Sequence, residues 1–351
     1  MIKTFGMDGT RPESLGLIGE APAFLAMLEH VSQAAELAKP VLVIGERGTG
    51  KELIASRLHY LSARWERTLV KVNCAALTES LLESELFGHE AGAFTGATRR
   101  HTGCFEQADG GSLVLDELGT IPPRMQEKIL RVIEYGEFQR VGGTGTLATN
   151  VRIIGVTNED LPRLAALGRF RADLMDRLAF DVIHVPPLRA RPEDIPTLAY
   201  HFAVNVTSEL KRAVFPGFGP VAAAALQGYD WPGNVRELKN TVERSVYRAP
   251  DPTEPVDRIL FDPFVSPYVA SKRVIDESPA PALVAERPAV NLPSDFRAAV
   301  HAYERDMLTL ALERAQFKQT TAAELLGLSY HQFRGLLKKH DLPARHAPDL
   351  R

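Results

Sequence analysis

The chain is 351 residues long, room for two or three domains, and its 45% hydrophobic and 24% charged residues are those of a globular protein able to bury a core. A formal net charge of −3 excludes nucleic-acid binding by bulk charge, so any such contact has to come from a local basic patch. Cys74 and Cys104 lack metal-ligand spacing and are too few for a disulfide framework. Met1 to Ser14 holds no apolar signal region and no run of about 18 apolar residues follows, so a cytoplasmic protein is expected.

Residues 1–16 read as a short arm. That is far fewer than a sensory domain needs, so regulation is expected from outside the chain. Ala23 to Leu37 carries Phe24, Leu25, Leu28, Val31 and Ala35 at helical spacing, and Pro40 ends it. Val41-Leu-Val-Ile44 is a run of aliphatic residues suited to a strand buried on both faces. Then comes Gly45-Glu46-Arg47-Gly48-Thr49-Gly50-Lys51-Glu52, followed by an amphipathic helical run to Arg57. Gly-x-x-x-x-Gly-Lys between a strand and a helix is the phosphate-cradling P-loop. Its glycines let amide N–H groups face a polyphosphate, the helix N-terminus adds partial positive charge, and Lys51 can reach the outer phosphates. Glu52 stands where a magnesium-binding Ser or Thr usually follows the lysine.

Thr68 to Asn73 is a second expected strand, and Ser112-Leu-Val-Leu-Asp116-Glu117 a third, running into an acidic pair 65 residues beyond Lys51. In a hydrolytic NTPase, Asp116 would hold Mg2+ through its water shell, and Glu117 would orient or deprotonate the attacking water. Val151 to Asn158 and Asp181 to Val185 supply a fourth and a fifth strand. Strands alternating with helices imply an α/β fold with a parallel sheet, whose carboxyl edge collects Asn73, Asp116, Glu117 and Asn158. Between the second and third strands lies Gly92-Ala93-Phe94-Thr95-Gly96-Ala97, small residues around one aromatic. This is a projecting loop with Phe94 offered to a partner, or a surface turn with Phe94 folded back into the core.

Beyond residue 186 the β-branched runs stop, and helical patterns at Ile195–Leu210, Pro220–Leu226 and Asn234–Arg248 imply a helical subdomain over 187–262 packed on the sheet domain of 17–186. Nine prolines in the 47 residues from Ala249 to Asp295 mark linker composition, assigned to 263–295. Helical periodicity returns over 296–345 with a long helix, Phe296–Ala315, carrying Val300, Tyr303, Met307, Leu310 and Ala311. Gly327 then separates two short helices, and Ser329 with Gln332 fits a capping box. Leu325, Leu328, Phe333, Leu336 and Leu337 form the expected core. Tyr330, His331, Gln332, Arg334 and Lys338 are the candidate DNA contacts of a helix-turn-helix. From Phe296 to Arg345 there are eight Lys or Arg against five Asp or Glu, a local basic excess in an acidic chain.

Gly-Ala-Phe-Thr-Gly-Ala at 92–97 resembles the signature of the bacterial enhancer-binding proteins, AAA+ ATPases that activate sigma-54 RNA polymerase. The resemblance spans roughly Leu17 to Pro263 and extends to a Fis-type helix-turn-helix at the end. It also rests on the P-loop, on Glu83-Ser-Glu-Leu-Phe-Gly-His-Glu90, on Phe170-Arg-Ala-Asp-Leu-Met-Asp-Arg-Leu178 and on Trp231-Pro-Gly-Asn-Val-Arg-Glu-Leu238. It implies an AAA+ P-loop NTPase with a helical lid, ATP and Mg2+ at the nucleotide site, and a ring hexamer. The implied partners are sigma-54 RNA polymerase holoenzyme, met by residues 92–97, and enhancer DNA.

The same resemblance makes the acidic Glu52 ordinary and Asn73 a switch that hydrogen-bonds Glu117. Thr157 and Asn158 fall at the sensor I place, Arg236 is the lid's sensor II arginine, and Arg171 and Arg177 are fingers acting on a neighbour's phosphates. Six residues apart, those two would point about 120° apart on one straight helix, so one touches phosphate while the other holds the interface, or neither is more than a surface arginine. Arg47 and Ser56-Arg-Leu-His-Tyr60-Leu61-Ser62 place the likeness nearest to the phage-shock branch. There the surface around Trp65 receives the negative regulator phage shock protein A; a tryptophan anchoring a helix end is the alternative. A DNA-binding repressor using the ATPase fold only to oligomerise is the competing function. The intact 92–97 loop and Glu117 speak against it, and the helix-turn-helix speaks against an AAA+ protein remodeller.

Overall fold

The structure, a computed structural model, describes residues 3–5, 16–264, 295–315 and 317–342. Most of the expected arm 1–16 and nearly all of the linker 263–295 lie outside the described residues. Two compact units, Met1–Val265 and Ser266–Arg351, are taken separately.

In the first unit the strands are β1 (Lys3–Phe5), β2 (Val41–Ile44), β3 (Leu69–Asn73), β4 (Ser112–Asp116), β5 (Glu137–Gln139), β6 (Thr146–Ala148), β7 (Arg152–Thr157) and β8 (Asp181–His184). Six of them form one sheet in the order β1-β3-β4-β7-β2-β8. All neighbours are parallel except β1, which adds antiparallel at the edge. The five expected strands are these parallel ones, within a residue or two at each end. The sheet is covered on both faces. Val41, Val43, Val114, Ile154, Val156 and Ile183 pack on one side with α1 (Pro22–Ala35) and α2 (Lys51–Tyr60). Leu42, Val70, Val72, Leu113, Leu115 and Ile153 pack on the other with α3 (Glu79–Phe87), α4 (Cys104–Gln107), α5 (Pro123–Tyr135), α6 (Leu161–Ala166) and α7 (Ala172–Leu178). Successive strand residues point to opposite faces, so a strand with two cores must be apolar at every position.

One buried cation serves this packing. Arg152, 1% exposed, donates to the carbonyls of Ala34 at 2.7 Å, Ala35 at 3.1 Å and Leu58 at 3.4 Å, joining the C-terminal ends of α1 and α2 to β7. Carbonyls at a helix end lack intrahelical donors, and a guanidinium supplies several at once. The hairpin β5–β6 and the helices α3 and α5 lie where no regular element was expected, between the P-loop and the fourth expected strand.

After β8 come α8 (Asp194–Glu209), α9 (Pro220–Gly228) and α10 (Asn234–Tyr247), with their own core around Trp231, Leu198, Leu238 and Val242. Trp231 is fully buried and its indole N–H donates to the Leu226 carbonyl at 2.9 Å. Asp194, from this helical part, holds the segment leading into α1, accepting the N–H groups of Glu20 at 2.6 Å and Ala21 at 2.9 Å. The helical subdomain is thereby stitched to the sheet domain.

The second unit holds α11 (Phe296–Arg314), α12 (Gln319–Leu325) and α13 (Tyr330–Lys339). Its core is Leu308, Ala311, Leu312, Ala315, Ala322, Ala323, Phe333 and Leu337, with Leu328 and Leu336 partly buried against it. One expectation is corrected here: Leu325 is 57% exposed rather than core. Of the apolar residues along α11, Ala311 is buried with Leu308 and Leu312, while Val300, Tyr303, Met307 and Leu310 stay exposed. Three short helices enclose too little volume for a 19-residue helix to bury its full length. Among the described residues, no helix is long and apolar enough to cross a membrane.

Candidate functional site

The P-loop runs from the end of β2 to the first residue of α2, as the alternation of aliphatic strand, glycine loop and amphipathic helix requires. Gly48 sits at φ +77°, and a Cβ there would lie 2.3 Å from the Gly233 carbonyl, so only glycine is accommodated. The Lys51 ammonium, 8% exposed as a residue, donates to the carbonyls of Gly45 and Glu46, each at 2.9 Å. Burial pulls its pKa below the ordinary lysine range, against the opposing charges of Glu117 and Asp116.

Asp116 and Glu117 stand at the carboxyl end of β4, and both line the same cleft as Arg47 to Leu53. Burial first, and then the neighbouring Glu117 and Glu52, push the Asp116 carboxyl above its usual range. Glu117 is a non-glycine residue at φ +54°, and its N–H donates to Asp116 Oδ1 at 3.0 Å. A left-handed carboxylate residue is a strained placement of the kind that gathers at functional sites. Asn73 is opposite Asp116 in the β3–β4 register, and its amide reaches Asp116 Oδ2 at 3.4 Å. It therefore contacts Asp116, where the family resemblance implied Glu117. Thr157 Oγ accepts from the Glu159 N–H at 2.9 Å, and Asn158 Oδ1 is buried with no hydrogen-bond partner among the described residues.

The cleft has a volume of about 490 Å³, and the lid contributes Leu198, Phe202, Val235, Arg236, Lys239 and Asn240 to it. It pairs an apolar wall with convergent charged groups, as a nucleotide requires. A roomier cleft of about 680 Å³ between α5 and the β5–β6 hairpin contains Arg171 but no phosphate loop and no strand-end carboxylate pair. Arg171, just ahead of α7, donates to Asp173 at 2.7 and 3.0 Å, and Arg177 donates to Glu134 at 3.0 Å. Both are exposed, and neither lines the P-loop cleft of its own chain.

Loop 92–97 is closed at its base by the Gly92 N–H donating to the Ala97 carbonyl at 2.7 Å. Ala97 is buried, Thr95 is exposed, and Phe94 is 45% exposed with its ring edge-on to His89, centroids 4.9 Å apart. Phe94 thus has not folded into the core. Beneath the loop, Arg140 donates to Glu90 at 2.8 Å and to both oxygens of Glu106, at 2.9 and 2.5 Å. That clamp ties the loop's entry to α4 and to the chain leaving β5. Arg140 stood outside the expected site because nothing in its local sequence marks it.

Around Trp65, Ser62 is buried, Tyr60 and Trp65 are half-buried, and Leu61 is 40% exposed. In the second unit, Ser329 and Gln332 form the expected capping box, the Gln332 N–H donating to Ser329 Oγ at 3.3 Å and the Ser329 N–H to Gln332 Oε1 at 3.0 Å. Gln332 is thereby engaged in starting α13, while Tyr330, His331, Arg334 and Lys338 present exposed side chains. Missed from the sequence were Arg189 and Asn234. Arg189 pairs with Glu46, with one contact at 2.7 Å, and Asn234 donates to Glu46 Oε2 at 3.1 Å and to the Arg47 carbonyl at 3.0 Å. Asn234 lies inside the Trp-Pro-Gly-Asn-Val-Arg-Glu-Leu stretch, which was the available signal.

The sigma-54 interaction domain family matches residues 17–184, the AAA+ ATPase lid domain residues 189–259, and the Fis family of bacterial regulatory proteins residues 300–340. The chain is 56% identical over 326 residues to the Psp operon transcriptional activator of Escherichia coli K12, an alignment covering 93% of this chain and 98% of that protein. It is 44% identical to the Nif-specific regulatory protein of Azotobacter vinelandii, over 90% of this chain and 57% of that one. Among solved structures, NtrX from Brucella abortus in complex with ATP superposes with a TM-score of 0.64 at 32% identity, covering 93% of this chain and 70% of that chain. The same protein in complex with ADP gives 0.64 at 33% identity, over 94% and 70%. The chain belongs to the sigma-54-dependent transcriptional activators, with an AAA+ α/β domain, an AAA+ lid and a Fis-type helix-turn-helix.

Proposed function

We propose that this protein hydrolyses ATP and uses the cycle to press loop 92–97 against sigma-54 RNA polymerase, opening the closed promoter complex. The observation that carries this is the coexistence, in one compact unit, of a P-loop cleft with a strained strand-end carboxylate pair and an exposed small-residue loop. Lys51 and the amides of residues 47–50 bind the phosphates, and Arg236 reaches them from the lid. Glu117 takes the position of the base that orients the attacking water. Asp116 is the group suited to hold Mg2+, because a half-buried carboxylate beside a second carboxylate favours a cation. When bound, the ion supplies charge neutralisation on the phosphate oxygens.

Arg171 and Arg177, exposed and away from their own cleft, suit the surface a ring neighbour would meet, where one of them stabilises the transferring phosphate in trans. Asn73 is the exchangeable contact: an amide bonded to Asp116 can change partner with the state of the γ-phosphate. Exposed basic and aromatic side chains on α13 read upstream DNA. The 56% identity to a Psp operon activator extends the reading to the phage-shock operon, with ring assembly and with a phage shock protein A-type regulator received near Tyr60, Leu61, Ser62 and Trp65.

Lys51→Ala and Glu117→Gln are expected to abolish ATP turnover, and undiminished hydrolysis in both removes the catalytic assignment. Thr95→Ala is expected to keep hydrolysis and lose both sigma-54 binding and open-complex formation. Promoter opening retained in that variant refutes the role of the loop.

A further inference from the structure

Three consecutive P-loop residues are bonded to the lid. The Glu46 carboxylate takes both guanidinium nitrogens of Arg189, one of them at 2.7 Å, and the Asn234 amide at 3.1 Å. The Arg47 carbonyl accepts the same Asn234 amide at 3.0 Å, and the Gly48 carbonyl accepts the Arg236 N–H at 3.3 Å. Asn234 is fully buried at φ +53°, and its Oδ1 accepts the Leu188 N–H at 2.8 Å. One side chain therefore holds the P-loop, the connection after β8 and the start of α10 together. We propose that Glu46 is a positioning residue that locks the lid to the phosphate loop through Arg189 and Asn234, and thereby sets where Arg236 stands over the nucleotide.

This inference rests on the ATPase reading above and deepens it. Glu46 is a carboxylate in a loop built for anions, where a free negative charge would oppose phosphate binding. It does not line the cleft, although Arg47 to Lys51 do, and neither Arg189 nor Asn234 lines it. Its charge is instead spent on a forked Arg–carboxylate pair, which constrains orientation as well as distance. The Arg189 hydrogen bond holds its carboxyl down at about 2, so the latch stays ionised across the working pH range. Arg189 sits in the connection between β8 and α8, and Arg236 is two residues beyond Asn234 in α10. A shift of the loop backbone on binding phosphate moves all three lid attachments at once. Nucleotide occupancy and lid position are then coupled, and reciprocally so.

The test uses the full-length chain with Glu46→Gln, Arg189→Ala, the double variant and Arg189→Lys, with thermal midpoints to verify folding. The readouts are fluorescent ADP affinity, KM and kcat for ATP, and hydrogen exchange of residues 231–238 with and without ADP. Each single variant is expected to weaken ADP binding and raise KM about fivefold or more, with kcat changed much less, which is the lower end of ordinary coupling. The double variant is expected to be no worse than either single one, because the two side chains act as one contact. Arg189→Lys, which keeps charge but loses the fork, falls between.

ADP is expected to slow exchange at 231–238 in the wild type and to lose that effect in Glu46→Gln. Multiplicative effects in the double variant, or an exchange response unchanged by Glu46→Gln, overturn the latch while leaving the ATPase reading standing. A wild-type chain that binds no nucleotide overturns both.

Discussion

The nucleotide end of the sheet and loop 92–97 belong to one compact unit but are built on opposite principles. At the P-loop the key groups are committed: Lys51 to two carbonyls, Glu46 to the lid, Asn73 to Asp116, and Gly48 is hemmed in by the Gly233 carbonyl. In the loop the side-chain commitments are few: Arg140 clamps Glu90 and Glu106 at the base, where residues 92 and 97 are bonded, Phe94 leans edge-on against His89 while staying 45% exposed, and Thr95 is exposed. Chemistry on a phosphate needs donors already in place, whereas gripping a partner needs surface left free on a firm root.

The sharpest way to break this contrast is to put the same methyl group into both regions. Gly48→Ala meets a carbonyl at 2.3 Å and a positive φ, and is expected to lower ATP turnover by about two orders of magnitude, since roughly 1 Å of misplacement costs that much. Gly92→Ala meets nothing within 4 Å at φ +85°, and is expected to cost only about 1 kcal/mol of strain with turnover intact. Equal losses of turnover would refute the contrast.

A second probe reaches the packing under the P-loop helix. His59, 1% exposed and bonded to Ser112 at 2.9 Å, has its pKa pushed by burial from 6.5 down to about 4. The folded state favours the neutral ring, so its stabilisation is complete above pH 6.5. It is lost as pH falls through that value towards 4, to a total of about 3 kcal/mol. Urea unfolding from pH 7 to pH 4 should show this loss in the wild type and not in His59→Gln.

At the loop's root, Arg140→Ala removes its charge-assisted hydrogen bonds to Glu90 and Glu106 and is expected to cost roughly 2 kcal/mol in urea unfolding. Phe94→Ala sits at the bottom of the scale. Because the ring is 45% exposed, less than about 0.5 kcal/mol of stability is expected to go, while sigma-54 binding is lost. A larger destabilisation would mean that the ring serves packing rather than a partner.

The parallel strands were legible because each must be apolar on both faces, leaving continuous runs such as Val41–Ile44 that alternate with helices. The P-loop and the acidic pair were legible because phosphate chemistry demands fixed residue types at close spacing, and the capping box was read from two residues three apart. The hairpin β5–β6 was not, because its three-residue strands carry only one buried side chain in β5, Phe138, and none in β6. Leu325 was misread as core for a related reason: a leucine at helical spacing does not say which face the short bundle can enclose.

What the sequence by itself determined is everything written in local periodicity and spacing: the α/β order, the phosphate loop, the acidic strand end, the small-residue loop and the helix-turn-helix. Only the tertiary structure decided that Asn73 faces Asp116, that Glu46 turns away from the cleft to Arg189 and Asn234, and that Arg140 and Arg152 fasten distant segments. Those pairings join positions 34 to 188 residues apart. Over such separations a side chain's neighbours are set by how the cores close, and no local pattern records them.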